Sequence, residues 1–306
     1  MELRHLRYFV GVAEELHFGR AAARLGISQP PLSQQIRALE SELGVFLFER
    51  TSRRVDLTEA GRLFLVEARR TLDQAEHAKS VARRAEQGEI GDLAVGFITS
   101  VPLTPIMSRA LFDFRAAYPE VHLQLAEMSR GMQIAGLLER TLDAGFIRGV
   151  EAPQLPEPLV ATMLFEEQLL VAMRSDHPLA SSTSPLRVID LAAESFVLYD
   201  RNLGAGFNEH LTLLCRIAGF EPRLVQEVGA LTSLLGLVVA GFGLTVISRS
   251  LTVLQLDNLV YRPLDEPNAV SRLWLVHRAE MSPTCCRFAA IVTRLGVELA
   301  EPSTAA

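Results

Sequence analysis

Residues 28 to 37 read SQPPLSQQIR. On one short helix this puts Gln29, Ser33, Gln34 and Arg37 on roughly one side, with Ser28 at the cap and Pro30 and Pro31 in the first turn. Those groups suit base edges: a glutamine amide pairs with adenine, a guanidinium with guanine, serine with phosphate or base, and proline carbon meets a thymine methyl. Arg53 and Arg54 stand at the tip of an apolar-polar-apolar run, where cations reach the backbone or minor groove. Taken singly, each of these residues is an ordinary solvated side chain. Further on, Thr99 and Ser100 follow a strand and precede a proline-led helix, where they hydrogen-bond a carboxylate or simply cap the helix. Arg148 closes another strand and serves an anion or a structural ion pair.

The elements that must position these groups follow from periodicity. Leu6, Phe9, Val10, Ala13 and Leu16 have helical spacing over Leu3 to Leu16. A second, alanine-rich helix runs from Gly19 to Leu25 and stops at Gly26, and the third continues to Leu43 and Gly44. Three short helices with a glycine turn form a helix-turn-helix. Val45 to Phe48, a basic tip and Val55 to Leu57 predict a hairpin, or wing.

From Thr58 to about Gly88 the spacing predicts one helix of roughly 45 Å. Along it Ala60, Phe64, Ala68, Thr71, Ala75, Ala78, Ala82 and Ala85 recur every three or four residues. That seam suits close pairing with a second helix, or packing on its own domain.

Beyond Gly91 short strands alternate with helices, which predicts an α/β domain with a largely parallel sheet. Strands are expected at 93–97, 122–126, 143–147, 169–172, 196–199, 224–227, 244–247 and 273–276. Helices are expected at 105–117, 132–140, 206–218, 231–239 and 283–299.

Composition narrows the function. The 306 residues suit two domains, and 49% hydrophobic with 22% charged residues suits a globular chain. Residues 1 to 90 hold 14 basic and 13 acidic side chains, a balance of +1, leaving 16 and 23, or −7, for the remainder. DNA affinity must therefore come from local clustering and dimerisation, and a nonspecific architectural DNA protein, which needs a basic surface, is disfavoured. The charged N-terminus lacks a signal-peptide core and no apolar run reaches about 18 residues, which predicts a cytoplasmic, non-membrane protein. Cys215, Cys285 and Cys286 have no metal-ligand spacing and read as ordinary thiols. No nucleophile elbow, phosphate loop, dinucleotide fingerprint or metal triad stands in the sequence, and Gly241-Phe242-Gly243 precedes a strand instead of following one. Enzyme activity and cofactors are not expected.

The first 65 residues resemble the opening of LysR-type regulators. The likeness rests on AAARL in the second helix, Ser28-Gln29-Pro30, Leu32-Ser33, Leu39-Glu40, Leu43-Gly44, LFER at 47–50 and LTEAG at 57–61. Tyr118-Pro119, LDAG at 142–145, His177-Pro178-Leu179 and GFGL at 241–244 extend it, with Ser248 where many relatives have proline. MELRHLRYFV, Pro30-Pro31, LAEM at 125–128 and DAGF at 143–146 resemble most the branch governing aromatic catabolism, which responds to benzoate, catechol or muconate.

This resemblance implies an all-α winged helix-turn-helix (1–58), a dimerising linker helix (59–90) and an α/β effector domain (91–306). The effector domain would have two subdomains like a periplasmic binding protein, one of about 91–161 with 268–300 and one of 162–267. It implies a small-molecule effector, an aromatic carboxylate or dicarboxylate, bound between them. Promoter DNA and RNA polymerase would be the partners, in a homodimer or homotetramer. By family position, two further loops, Ser129-Arg130 and Asn202 to Phe207, would face the effector. Arg130 departs from the small hydroxyl residue of dicarboxylate-responsive relatives. Phe207 and Thr232 are candidates for the same site, with core packing or helix capping as the alternative.

Overall fold

The computed structural model describes residues 1–51, 54–200 and 207–300, without the side chains of Phe207 and Ala300. Arg53 and Asn202 lie outside the described residues. The chain divides into two compact units, 1–84 and 85–306.

The first unit contains α1 (Leu3–Glu15), α2 (Phe18–Arg24), α3 (Gln29–Leu43), β1 (Phe48–Arg50), β2 (Val55–Leu57) and α4 (Glu59–Glu86). The first three helices bury one stripe each, and Phe9, Val12, Ala21, Leu32, Ile36 and Leu39 form their shared core. Each of these side chains larger than alanine contributes about 1.5–3 kcal/mol by leaving water. Gly44 ends α3 at φ 72°, a left-handed turn that costs glycine nothing. β1 and β2 pair antiparallel, with Phe48 opposite Leu57 and Arg50 opposite Val55. Gly61 lets α4 approach this hairpin, since a Cβ there would stand 2.1 Å from the Leu47 carbonyl oxygen.

The seam on α4 has two fates. Ala68 is buried and Phe64 packs beside it on the unit's own core, where Phe9 and Phe64 meet at 5.0 Å. Thr71, Ala78, Ala82 and Ala85 are exposed. The single expected seam thus packs inward over its first turns and stands bare over its last. Leu63 and Val66, 65% and 49% exposed, also face solvent.

The second unit contains β3 (Ile90–Phe97), α5 (Pro105–Ala117), β4 (Glu120–Glu127), α6 (Arg130–Leu138), β5 (Ala144–Gly149), β6 (Leu159–Arg174) and β7 (Ser195–Tyr199). It continues with α7 (Phe207–Ile217), β8 (Arg223–Val228), α8 (Leu231–Val239), β9 (Thr245–Ser248), β10 (Leu259–Pro263), β11 (Val270–Arg278) and α9 (Pro283–Ala300). One sheet runs β10-β6-β11-β5-β3-β4, with β9 also on β6, and β7 pairs with β8.

The expectation of a largely parallel sheet needs correction. β3 is parallel to β4 and β5, and β7 to β8, but β11, β10 and β9 join β6 antiparallel and β11 joins β5 antiparallel. β11, arriving from the far end of the chain, lies between β5 and β6 and runs opposite to both, so these two strands point the same way without pairing with each other.

Strand β6 serves two cores. Leu164 and Phe165 pack with Leu93, Val95, Phe114, Phe146 and Phe288, whereas Leu169, Val171 and Met173 pack with Phe196, Leu214 and Leu244. The core changes between Phe165 and Leu169, and β6 is the continuous strut between two subdomains.

Candidate nucleic-acid interface and ligand cleft

Helix α3 buries Leu32, Ile36 and Leu39 and turns the opposite face outward. Ser28, Gln29, Pro30, Pro31, Gln34 and Arg37 are exposed and Ser33 is half-buried. The backbone of Ser28 is that of an N-cap, but its side chain makes no capping hydrogen bond, contrary to the expected cap. Pro30 explains part of this, because it has no N–H to offer. Arg37 has no ion pair among the described residues. Arg54 is exposed at the hairpin tip and pairs with Asp56 at 2.6 Å, a surface contact worth little.

Glu40 is a residue whose role pattern reading missed. It is buried at the inner end of α3, where Oε1 accepts the backbone N–H groups of Leu47 (2.9 Å) and Phe48 (3.1 Å). Its other oxygen accepts Arg50 Nη2 at 2.6 Å, and the Arg50 guanidinium lies 4.9 Å from the Phe18 ring. One carboxylate thereby fixes the hairpin to α3. A glutamate among apolar positions was the available signal.

In the second unit a cavity of about 270 Å³ lies between the two subdomains. Ser100, Glu127, Met128 and Ser129 line it from the first; Tyr199, Gly229, Ile247 and Leu251 from the second. Glu127 and Tyr199 are the last residues of β4 and β7, and Gly229 follows β8. Ligands of open α/β sheets collect at such carboxyl ends.

Thr99 is exposed on the wall and donates its hydroxyl to Glu127 Oε1 at 2.5 Å. Ser100 is buried, and its Oγ accepts Arg148 Nε at 3.1 Å. Ser129 caps α6 by accepting the Met132 N–H at 3.4 Å. Arg130 opens α6 and Thr232 lies exposed in the first turn of α8, and neither is among the residues lining the cavity. Phe207 opens α7.

Arg148 does not line the cavity either. It is fully buried and forms an ion pair with Glu167 at 2.5 Å, and it donates to the hydroxyls of Ser100, Ser271 and Ser250 at 3.1 Å each. Of the two alternatives read from sequence, the structure contains the ion pair. Burial pushes the guanidinium pKa down, and the charge and hydrogen bond of Glu167 push it back up. Burial raises the Tyr199 phenol well above its usual range, against a smaller opposing effect of Arg148. The cavity wall is thus backed by a paired charge.

Comparison with known proteins agrees with this architecture. Residues 3–62 match the bacterial regulatory helix-turn-helix protein of the lysR family, and residues 86–295 match the LysR substrate binding domain. The chain belongs to the LysR family of transcription regulators. It is 45% identical over 290 residues to the HTH-type regulator YnfL of Escherichia coli, covering 94% of this chain and 96% of the relative. It is 37% identical over 280 residues to the regulator BenM of Acinetobacter baylyi, covering 91% and 90%. The crystal structure of CbnR, a LysR family regulator, superposes with a TM-score of 0.82 at 30% identity, covering 95% of this chain and all of CbnR. CbnR has also been solved in complex with its target DNA, and that structure superposes with the same TM-score of 0.82.

This LysR regulator is closely related to regulators of aromatic catabolism such as BenM, CbnR and TfdS. It is a sequence-specific DNA-binding regulator with a ligand-binding C-terminal domain, and its family and fold are those of a regulator and not of an enzyme. Among the described residues no helix is long and apolar enough to cross a membrane.

Proposed function

We propose that this LysR regulator senses a small aromatic carboxylate or dicarboxylate in the cytoplasm and answers by rearranging its DNA-bound protomers. The reading rests above all on the cavity between the subdomains, which is walled by residues from both and backed by the Arg148–Glu167 pair. A ligand that draws the two walls together changes the angle between subdomains, and hence the spacing of DNA-binding units.

In this reading residues 1–58 bind DNA, 59–90 dimerise, and 91–306 hold the effector. Ser28, Gln29, Pro30, Pro31, Ser33, Gln34 and Arg37 contact the major groove, and Arg53 and Arg54 the backbone or minor groove. Thr99, Ser100 and Ser129 offer hydroxyls to the effector, helped by Arg130 and by the segment from Asn202 to Phe207. The exposed later seam of α4, Thr71 to Ala85, pairs with a second copy, and two dimers form a tetramer that contacts RNA polymerase.

The test is a thermal-shift screen of the protein against aromatic carboxylates, muconate-like dicarboxylates, amino acids and sugars, followed by footprinting. A carboxylate at a hundred times its Kd should add about 2.7 kcal/mol, or about 5–10 °C. It should also change the operator footprint. No carboxylate shift, or an unchanged footprint, overturns the reading.

A further inference from the structure

The 3-10 turn Arg249–Val253 has two faces. Inward, the Ser250 N–H and hydroxyl bond Glu167 at 2.7 and 2.9 Å, and Leu251 lines the cleft. Outward, Arg249 and Thr252 line a second cavity of about 710 Å³, which also touches Ser182, Thr183, Tyr261 and Arg262. The two cavities share no lining residue.

The outer cavity is rich in unanswered positive charge. Arg262 is only 7% exposed, and its guanidinium donates to the carbonyls of Leu179 and Ser184. Among the described residues its Nε has no hydrogen-bond partner and no carboxylate pairs with it. Asp190 feels its charge but is held by Arg187 at 2.7 Å. Arg249 is exposed and donates to the Gln168 side-chain oxygen at 3.2 Å, again without a carboxylate partner among the described residues. Asp257 is the single carboxylate among the described residues of the wall. A buried cation lacking a counter-ion is costly, and an anion seated beside it and Arg249 relieves that cost.

We propose that this outer cavity is a second small-molecule site, which binds an oxyanion, the phosphate or carboxylate group of a metabolite. Arg249 and the hydroxyls of Ser182 and Thr183 contact the anion, with Arg262 behind them as fixed positive charge. Because Arg249 and Ser250 are consecutive on one turn, occupancy is transmitted to Glu167 and the strut β6. The two sites are therefore coupled through the turn, and the coupling is reciprocal.

Isothermal titration of the full chain with inorganic phosphate and with citrate, at constant ionic strength in chloride, tests the site. Saturable binding of at least one probe is expected, and which probe binds distinguishes phosphate from carboxylate chemistry. Arg249→Ala should weaken that binding about tenfold or more, as loss of a charge-assisted contact implies. The cleft variant Ser129→Ala should leave it unchanged. Hydrogen exchange at the Ser250 amide should slow with the bound probe, and not in Arg249→Ala. Absence of saturable binding by both probes overturns the site, as does equal affinity in Arg249→Ala or loss in Ser129→Ala. Binding without slowed exchange at Ser250 overturns the coupling.

Discussion

Arg148 on β5 and Glu167 on β6, their side chains both buried, meet at 2.5 Å at the point where β6 passes from one subdomain core to the other. Ser250 ties Glu167 to the second subdomain, while Ser100 ties Arg148 to the cleft wall. Removing one partner leaves the other charge buried and alone, so Arg148→Met and Glu167→Gln should each destabilise the effector domain by about 3–5 kcal/mol. Urea unfolding measures this. A loss under about 1 kcal/mol would mean that water reaches the pair.

Much of the scaffold around that pair is legible in the sequence, and the exceptions have physical causes. Helices α5 and α8 span the expected residues, 105–117 and 231–239, because proline or a small-residue turn marks each start and the apolar period is clean. Strand β6 was expected only at 169–172, yet it begins at Leu159. Near its middle stand Glu166 and Glu167, charges that break the apolar run in the sequence and pair with Arg272 and Arg148 in the fold. Edge strand β10 was missed because it is short and ends in Pro263, a residue that only an edge tolerates. Of the cleft wall, Thr99 and Ser100 are local signals after a strand, whereas Tyr199, Gly229 and Leu251 come together only when distant strands stack.

Glu40 should decide whether the wing is rigid. Glu40→Gln retains the shape but cannot accept from Leu47, Phe48 and Arg50 together, and should cost the DNA-binding unit about 2–4 kcal/mol. Operator affinity should fall and proteolysis near the hairpin should quicken, while ligand binding in the second unit is untouched. Normal operator binding by a folded variant would show that wing placement does not depend on this carboxylate.

Acid should weaken the second unit through His210. Burial, the dominant effect, depresses its pKa below the usual 6.5, partly offset by its hydrogen bond to the Asn268 carbonyl at 2.7 Å. The unfolded chain takes up a proton near the ordinary histidine value while the folded one does not. Stability is therefore fully present above about pH 6.5 and declines as pH falls from there toward the depressed folded value. Denaturant unfolding at pH 7.5 and 5.5 measures the slope, and His210→Gln should flatten it. An equal slope in the variant would assign the acid sensitivity to other groups.

Arg37 and Arg54 should fail in different ways. Arg37 is exposed on the outer face of α3 with no ion pair among the described residues, whereas Arg54 at the hairpin tip is already paired with Asp56. If Arg37 reads a base, Arg37→Ala loses about 1–3 kcal/mol on the operator and little on scrambled DNA. Arg54→Ala, as a phosphate contact, should weaken both duplexes alike and lower the salt slope by about 1. Fluorescence anisotropy over a salt series separates the two. Equal losses on both duplexes for Arg37→Ala would move that residue to the backbone and leave sequence reading to Gln29, Ser33 and Gln34.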